Sequence, residues 1–353
     1  MFTLARSRRD KRALFWLCFA HSEPFMADIK TATVEEWQTL SSILATFRIK
    51  PQDGARFPDY VPGQYMALRR ENCRLTKKVV GPDGRPHYVT DVDASGKPKH
   101  GPVTHSYSIA SAPYETRDKG YLEFYLVLEK DELGERGRLS GSLFEINPPD
   151  DDKLTYVNRI VGDFTLDKRA NGFRNVVWVG TGTGLAPFVS MIKQLDFQAA
   201  RGATDGVRYT LVHTNRTYGE LGYHEELLEI EAARRLDFVY IPSVSRPTAR
   251  DVADEKLGTG RANNVLRHIL GMPMKEQQEL QEAVARGEDA SGAKAARLSA
   301  VEPSLPKHLS RSELAKRLDS ETTVILTCGN PSLMSDIKYI AETHGARFEK
   351  EDW

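Results

Sequence analysis

Three glycines, Gly180, Gly182 and Gly184, punctuate the run Val176-Val-Trp-Val-Gly-Thr-Gly-Thr-Gly-Leu-Ala-Pro-Phe188. A β-branched stretch ends, the glycines let the backbone turn tightly, and Pro187 stands where the first turn of a helix tolerates a missing N–H. Backbone N–H groups and the positive end of that helix then face whatever lies above the turn, and a nucleotide diphosphate is their natural occupant. The spacing is G-x-G-x-G rather than G-x-G-x-x-G, and a tight strand–helix turn built only for close packing needs the same glycines. Ser245 and Arg246 set a hydroxyl donor beside a charged fork, which suits a phosphate. A site for an unphosphorylated ribose tends to place a carboxylate there instead. As a bare pair they equally suit a solvated loop. Arg216 and Arg261 are weaker candidates for the same phosphate. Cys328 follows Val324-Ile-Leu-Thr327, at a strand's carboxyl end, where open α/β sheets bind ligands. A lone cysteine there serves equally as core.

Other chemistries find no support. The nine histidines show no metal-ligand spacing, with His213 and His224 eleven apart and no H-x-x-x-H. There is no G-x-S-x-G elbow. Three cysteines, Cys18, Cys73 and Cys328, cannot hold an iron–sulfur cluster, which needs about four thiolates. Lys+Arg and Asp+Glu both number 49, so the net charge is zero and no basic excess points to nucleic acid. No apolar run reaches the roughly 18 residues of a membrane span, and a reducing, cytoplasmic setting is the default. Arg69, Arg70, Arg74, Lys77 and Lys78 form a local basic group, either a docking face for an acidic carrier or a solvated surface.

The elements that must position these residues divide the 353-residue chain in two, as its length against roughly 150 residues per domain also suggests. Residues 1–29 read as an N-terminal extension. Five arginines and lysines precede the apolar run 13–20 there, a pattern that mimics a signal peptide without a convincing cleavage site. Residues 30–170 carry short apolar runs bounded by Gly, Pro and Asp, at 44–49, 65–68, 106–110, 121–128 and 155–161. They predict a six-stranded antiparallel β-barrel with one small helix, and Gly81-Pro-Asp-Gly84 predicts a turn in a hairpin over 75–92. Residues 171–353 alternate strands (176–179, 208–213, 237–241, 323–327, 347–351) with helices (187–195, 220–233, 263–270, 332–343), which predicts a parallel α/β sheet covered on both faces. Residues 275–318 read as an inserted, partly helical excursion with a mobile middle at 287–294.

Several segments, in order, resemble the ferredoxin–NADP reductase family. Thr104-His105-Ser106-Tyr107-Ser108-Ile-Ala-Ser111 resembles its R-x-Y-S strand, and Val61-Pro-Gly-Gln-Tyr65 its P-G-Q strand. Leu122-Glu-Phe-Tyr-Leu126-Val127-Leu128, followed by Gly137-Arg138-Leu139-Ser140, is similar to its flavin-adenine and pyrophosphate segment. Gly162-Asp-Phe-Thr-Leu166 is similar to its last barrel strand, and Thr181-Gly182-Thr183-Gly184 falls in its NADP turn. Tyr240-Ile-Pro-Ser-Val-Ser245-Arg246 resembles its 2′-phosphate loop, and Cys328-Gly329-Asn330-Pro331 with Met334 its nicotinamide segment. The resemblance covers about residues 30–353, outside 71–103 and 275–318.

It implies an FAD-binding barrel, an NADP-binding α/β domain, and NADPH-dependent electron exchange with a one-electron carrier such as ferredoxin or flavodoxin on a separate chain. A flavin links the two currencies because it is stable at three oxidation levels. The resemblance also implies Tyr107 on the ring or ribityl chain, Ser108 near the flavin N5, and the Cys328 thiol positioning the nicotinamide. Trp353 would lie against the flavin or its adenine, as bacterial members also end in an aromatic residue. Glu349-Lys-Glu-Asp352 reads as too polar to anchor that tail in a core. One residue departs from the pattern: His105 replaces the signature arginine that pairs with the FAD pyrophosphate, and Arg138 is the nearest substitute charge. Rival readings are a flavin or ferric-chelate reductase, an oxygenase reductase component, and a non-catalytic flavin-binding protein.

Overall fold

A computed structural model describes residues 28–81, 84, 86–130, 134–147 and 150–351. Most of the N-terminal extension, the centre of the turn after Gly81, and Trp353 lie outside the described residues.

The first half contains β1 (Ile29–Ser41), β2 (Leu44–Pro51), β3 (Tyr65–Arg74), β4 (Thr76–Val80), β5 (Pro86–Thr90), β6 (His100–Ser108), α1 (Pro113–Lys119), β7 (Leu122–Val127), α2 (Arg138–Phe144), β8 (Lys153–Val161) and α3 (Leu166–Arg169). Alternation drives the sheet: Met66 and Leu68 of β3 point inward and are fully buried, while Tyr65 and Ala67 face the other way. β4 and β5 form the expected hairpin, which stands apart as its own two-stranded ribbon.

Six strands make one antiparallel sheet in the order β6-β3-β8-β1-β2-β7. The sheet is a curled half-barrel, not the closed barrel expected. Its edges β6 and β7 meet only past the end of β6, through an Ile109–Phe124 bridge and an Ala110 N–H to Glu123 carbonyl bond of 2.8 Å. The splay has a use: Ser106, Tyr107 and Ser108 of β6 and Tyr125 and Val127 of β7 border a cavity instead of each other.

The second half contains β9 (Asn175–Thr181), α4 (Ala186–Ala199), β10 (Arg208–Asn215), α5 (His224–Ala233), β11 (Asp237–Val244), α6 (Ala249–Ala253), β12 (Gly258–Thr259), α7 (Ala262–Leu270), α8 (Lys275–Arg286), α9 (Ser291–Ser299), α10 (Arg311–Arg317), β13 (Thr323–Cys328), α11 (Pro331–His344) and β14 (Arg347–Lys350). The parallel order is β12-β11-β10-β9-β13-β14. Both faces are buried, so the central strands read as unbroken apolar runs. Val176 and Trp178 pack toward α4 and α5, whereas Val177 and Val179 pack toward α7, α10 and α11. Leu44, Ala110, Tyr125 and Phe164 of the first half join the same core as Trp178 and Phe188 of the second.

The excursion is more ordered than its composition suggests. Gly287, at φ 70°, caps α8, and α9 opens at Ser291. The stretch expected to be mobile is a short turn running into a helix, and α8 and α9 pack on each other. Further on, Leu314 and Leu318 enter the core beside α7.

Candidate active site

Parallel register brings the carboxyl ends of the central strands level: Gly180 of β9 lies opposite His213 of β10 on one side and Cys328 of β13 on the other. Above that edge, facing the half-barrel, is a cavity of about 1370 Å³. The glycine turn forms its floor. Residues 182–185 make one 3₁₀ turn that runs directly into α4. Gly184 must be glycine, since a Cβ there would stand 2.2 Å from the Cys328 carbonyl oxygen. On the open side, nothing lies within 4 Å of where a Cβ of Gly182 would be, and the buried Thr181 Oγ1 has no partner among the described residues. This is a cradle with room for phosphates, and it fits the nucleotide expected from the sequence.

Most of the expected residues converge on the cavity. From β6 come His105, Ser106, Tyr107 and Ser108, and Val127 comes from β7. The turn supplies Thr181, Gly182, Thr183 and Gly184, and the end of β13 supplies Cys328, Gly329 and Asn330. Asn330 also caps α11, its side chain accepting from the Ser332 and Leu333 N–H groups at 3.0 and 3.2 Å. Arg216, Ser245, Arg246 and Arg261 line the far end. Arg216 is held by Glu220, with Nε 3.0 Å from Oε2, while the Arg246 guanidinium has no ion pair among the described residues. The Ser245 and Arg246 N–H groups bond to the Asn215 and Arg216 carbonyls, which fixes that loop beside β10. Burial, with Glu129 and Cys73 nearby, raises the Tyr107 pKa, so its hydroxyl stays a donor at neutral pH.

Six expected residues do not border the cavity. Leu126 and Leu139 are packed in the half-barrel core, and Leu128, Ser140 and Met334 are buried nearby. Ser140 Oγ accepts from the Glu129 N–H at 3.2 Å. Arg138 is exposed at the start of α2, so it brings no charge to the cavity beside His105. Trp353 lies outside the described residues.

The residue that sequence reasoning missed is Glu351. Its N–H continues the β14 ladder by bonding to the Thr327 carbonyl at 3.1 Å, and its side chain is buried. The carboxyl accepts from Ser108 Oγ at 3.2 and 3.3 Å and from Cys328 Sγ at 2.9 Å. Burial pushes its pKa up to about 7, against the two hydrogen bonds, which lower it. The tail is therefore not too polar to anchor: Glu349 is buried too, taking the Arg169 Nη1 at 2.9 Å. The available signal was the period of two, which sets Arg347, Glu349 and Glu351 on one side of the strand and Phe348 on the other.

Comparison with known proteins agrees with this architecture. Residues 178–279 match the family model described as an oxidoreductase NAD-binding domain. A flavohemoprotein of Bordetella pertussis is 31% identical over 196 residues, which is 55% of this chain and 39% of that protein. The chain thus spans less than half the length of that relative. A ferredoxin NADP+ reductase of Neisseria gonorrhoeae, solved with bound FAD and NADP, superposes with a TM-score of 0.53 at 18% identity, over 92% of this chain and 98% of that one. The flavohem-like FAD/NAD binding domain of a nitric oxide dioxygenase from Vibrio cholerae gives 0.53 at 19% identity, with the same coverage. At such identities the two structures establish the fold.

A curled antiparallel sheet faces the glycine turn of a parallel one, and the parallel half carries the match to an oxidoreductase NAD-binding domain. The fold is that of the ferredoxin NADP+ reductase and flavohem-like structures it superposes on. Among the described residues, no helix is long and apolar enough to cross a membrane.

Proposed function

We propose that the protein holds FAD along β6, oxidises NADPH at the cleft, and passes the electrons singly to a carrier such as ferredoxin or flavodoxin. In this reading residues 30–170 are the FAD domain and 171–353 the NADP domain. The observation that carries it is the contact of Ser108 and Cys328 with one carboxyl, which draws the two lobes together where a nicotinamide must meet a flavin. When bound, the flavin supplies the conversion between a hydride and single electrons. The chain's own residues do the rest. Ser108 and Cys328 donate to Glu351, which holds both at the carboxyl end of the sheet. With a pKa near 7, the Glu351 carboxyl can hold or release a proton at working pH. The Gly182 N–H and the Thr181 hydroxyl would donate to the pyrophosphate, and Ser245 with Arg246 to the 2′-phosphate.

A second reading is supported by the flavohemoprotein relative and the flavohem-like structural neighbour: the same cleft feeds a haem rather than a carrier protein. The purified protein should be yellow, release FAD on heating, and bleach with NADPH. Recovery of FMN alone, or an apoprotein that refuses FAD, overturns the cofactor. Arg246→Ala should raise the NADPH KM at least about tenfold, the loss of one charge-assisted bond of roughly 1.5–3 kcal/mol, and leave NADH nearly unaffected. Equal kcat/KM for the two nucleotides in the unmutated enzyme contradicts the phosphate assignment.

A further inference from the structure

The excursion after α7 does not hang off the molecule; it reaches the cavity. Lys275, Glu276 and Glu279 of α8 and Ala296 of α9 line it, continuing a wall begun by Arg261 and Asn263. This wall stands on the α7 and α11 side of the sheet, while the half-barrel and α4 stand on the other. A ligand lying across the carboxyl edge would be enclosed between them.

The wall is built to hold its position. Asn264, 1% exposed, clamps the first turn of α8: its Oδ1 accepts the Lys275 N–H at 3.0 Å and its Nδ2 donates to Glu276 Oε2 at 2.8 Å. Arg267, 2% exposed, donates to both carboxylate oxygens of Asp336 at 3.0 and 2.6 Å. The same guanidinium reaches the Pro273 carbonyl at 3.0 Å and Gln278 Oε1 at 2.8 Å. Three helices, α7, α8 and α11, are tied by one buried polar knot.

That knot sets the Lys275 backbone against Asn264, three residues, or about 4.5 Å of helix rise, from Arg261 at the start of α7. Gly260, just before it, is bonded to the β11 end at Val244, two residues short of Arg246. Among the described residues the Lys275 ammonium has one ion pair, to Glu279 of its own helix at 3.6 Å with both side chains partly exposed, an arrangement that holds it weakly. Glu276 is occupied by Asn264. Asn263, 4% exposed, donates to Asp336 at 2.7 Å, and its Oδ1 has no partner among the described residues. A weakly held cation, a second cation at the start of α7 and a buried acceptor left unpartnered among the described residues make a wall suited to an anionic, hydroxyl-bearing ligand.

We infer that the α8–α9 insertion is the outer wall of the nucleotide cleft, and that Lys275 supplies a cation to a phosphate of the bound dinucleotide. This rests on the reading that the cleft takes NADP(H), and it names an element that the glycine turn and the Ser245–Arg246 loop do not require.

The test is calorimetric titration of the full-length protein with NADP+, NAD+ and 2′,5′-ADP, comparing the unmutated chain with Lys275→Gln, Lys275→Glu and Lys275→Arg. Lys275→Gln should weaken NADP+ about fivefold, Lys275→Glu more, and Lys275→Arg should restore binding. Weakening of NADP+ and 2′,5′-ADP alone assigns the 2′-phosphate; equal weakening of NAD+ assigns the pyrophosphate. If the unmutated protein binds NADP+ and the Gln and Glu variants bind all three probes within about twofold of it, the inference is wrong. If the unmutated protein binds no NADP+, the parent reading fails and takes the inference with it. Unchanged thermal unfolding of the variants separates a lost contact from a loosened wall.

Discussion

Glu351 ties the chemistry of the site to its stability. Its folded-state pKa, about 7, stands above the ordinary carboxylate value, so the folded protein holds a proton that the unfolded chain releases. The stabilisation is full below about pH 4.3, declines as the pH rises toward 7, and is flat beyond. Glu351→Gln is neutral throughout. Its Tm relative to the unmutated protein should therefore climb between pH 5 and pH 8, and a pH-independent difference would show that the carboxyl is ionised in the fold. The same variant should keep its flavin and lose hydride transfer, read by stopped-flow bleaching with NADPH. His105 makes the other prediction at this scale. With Arg138 exposed and off the cavity, no arginine fills the signature position, and His105→Arg should restore a charged fork. FAD dissociation should slow about tenfold, the worth of one charge-assisted bond. Unchanged flavin release would place the pyrophosphate away from residue 105.

Among the elements, α1 and α4 fix how the two lobes meet. Lys193 of α4, with its side chain 3% exposed, lies 2.8 Å from Glu115 Oε2 of α1 and 3.3 Å from Glu226 Oε1 of α5. Burial acts to raise the Glu115 pKa, but Lys193 outweighs it and holds the carboxyl below its ordinary value. This contribution is present above about pH 4.3 and fades as the pH falls through the lower folded value. Ser190 Oγ donates to the Ser111 carbonyl at 2.7 Å, and Tyr114 stacks on Phe197 with centroids 4.0 Å apart, so the contact is continuous. Lys193→Met leaves Glu115 buried and unpaired and should cost about 3–5 kcal/mol in urea unfolding, with Glu115→Gln added to recover part of it. A loss of about 1 kcal/mol or less would mean that the pair is as weak as an exposed one. Element identity was legible in the sequence wherever the period was clear, as in the strand ending at the glycine turn. β1 was missed because only Ala32 and Val34 of its residues are buried, so its pattern is mostly polar.

For the molecule as a whole, the proposed function turns on the electron acceptor. The basic group on β3 and β4 suggested a docking face, but most of it is matched by acids. Arg69 pairs with Glu71, Arg70 with Asp151, Arg74 with Glu135, and Lys77 lies 3.9 Å from Asp91. Charge reversal of Lys77 and Lys78 should therefore change NADPH-driven reduction of a ferredoxin or flavodoxin by less than about twofold at physiological salt, where exposed charges are largely screened. A tenfold fall would make this ribbon the docking face after all. Comparing a carrier protein with a haem domain as acceptor, at equal concentration, decides between the two functional readings.

The sequence by itself determined the glycine turn, the alternation of strands and helices around it and the strand carrying Tyr107 and Ser108. These are local features, set by a few consecutive residues whose steric and hydrogen-bonding needs are met within one turn or strand. It did not reveal Glu351, whose role depends on Ser108, 243 positions away in the chain. It did not show that the barrel stays open, because closure depends on whether two strand edges meet in space. Nor did it show that the excursion forms a cavity wall, since its surface-like composition says nothing about Asn264 and Arg267 gripping it from α7. Periodicity can put a polar side chain on one face of an element but not name its distant partner, and only the tertiary structure decided these contacts.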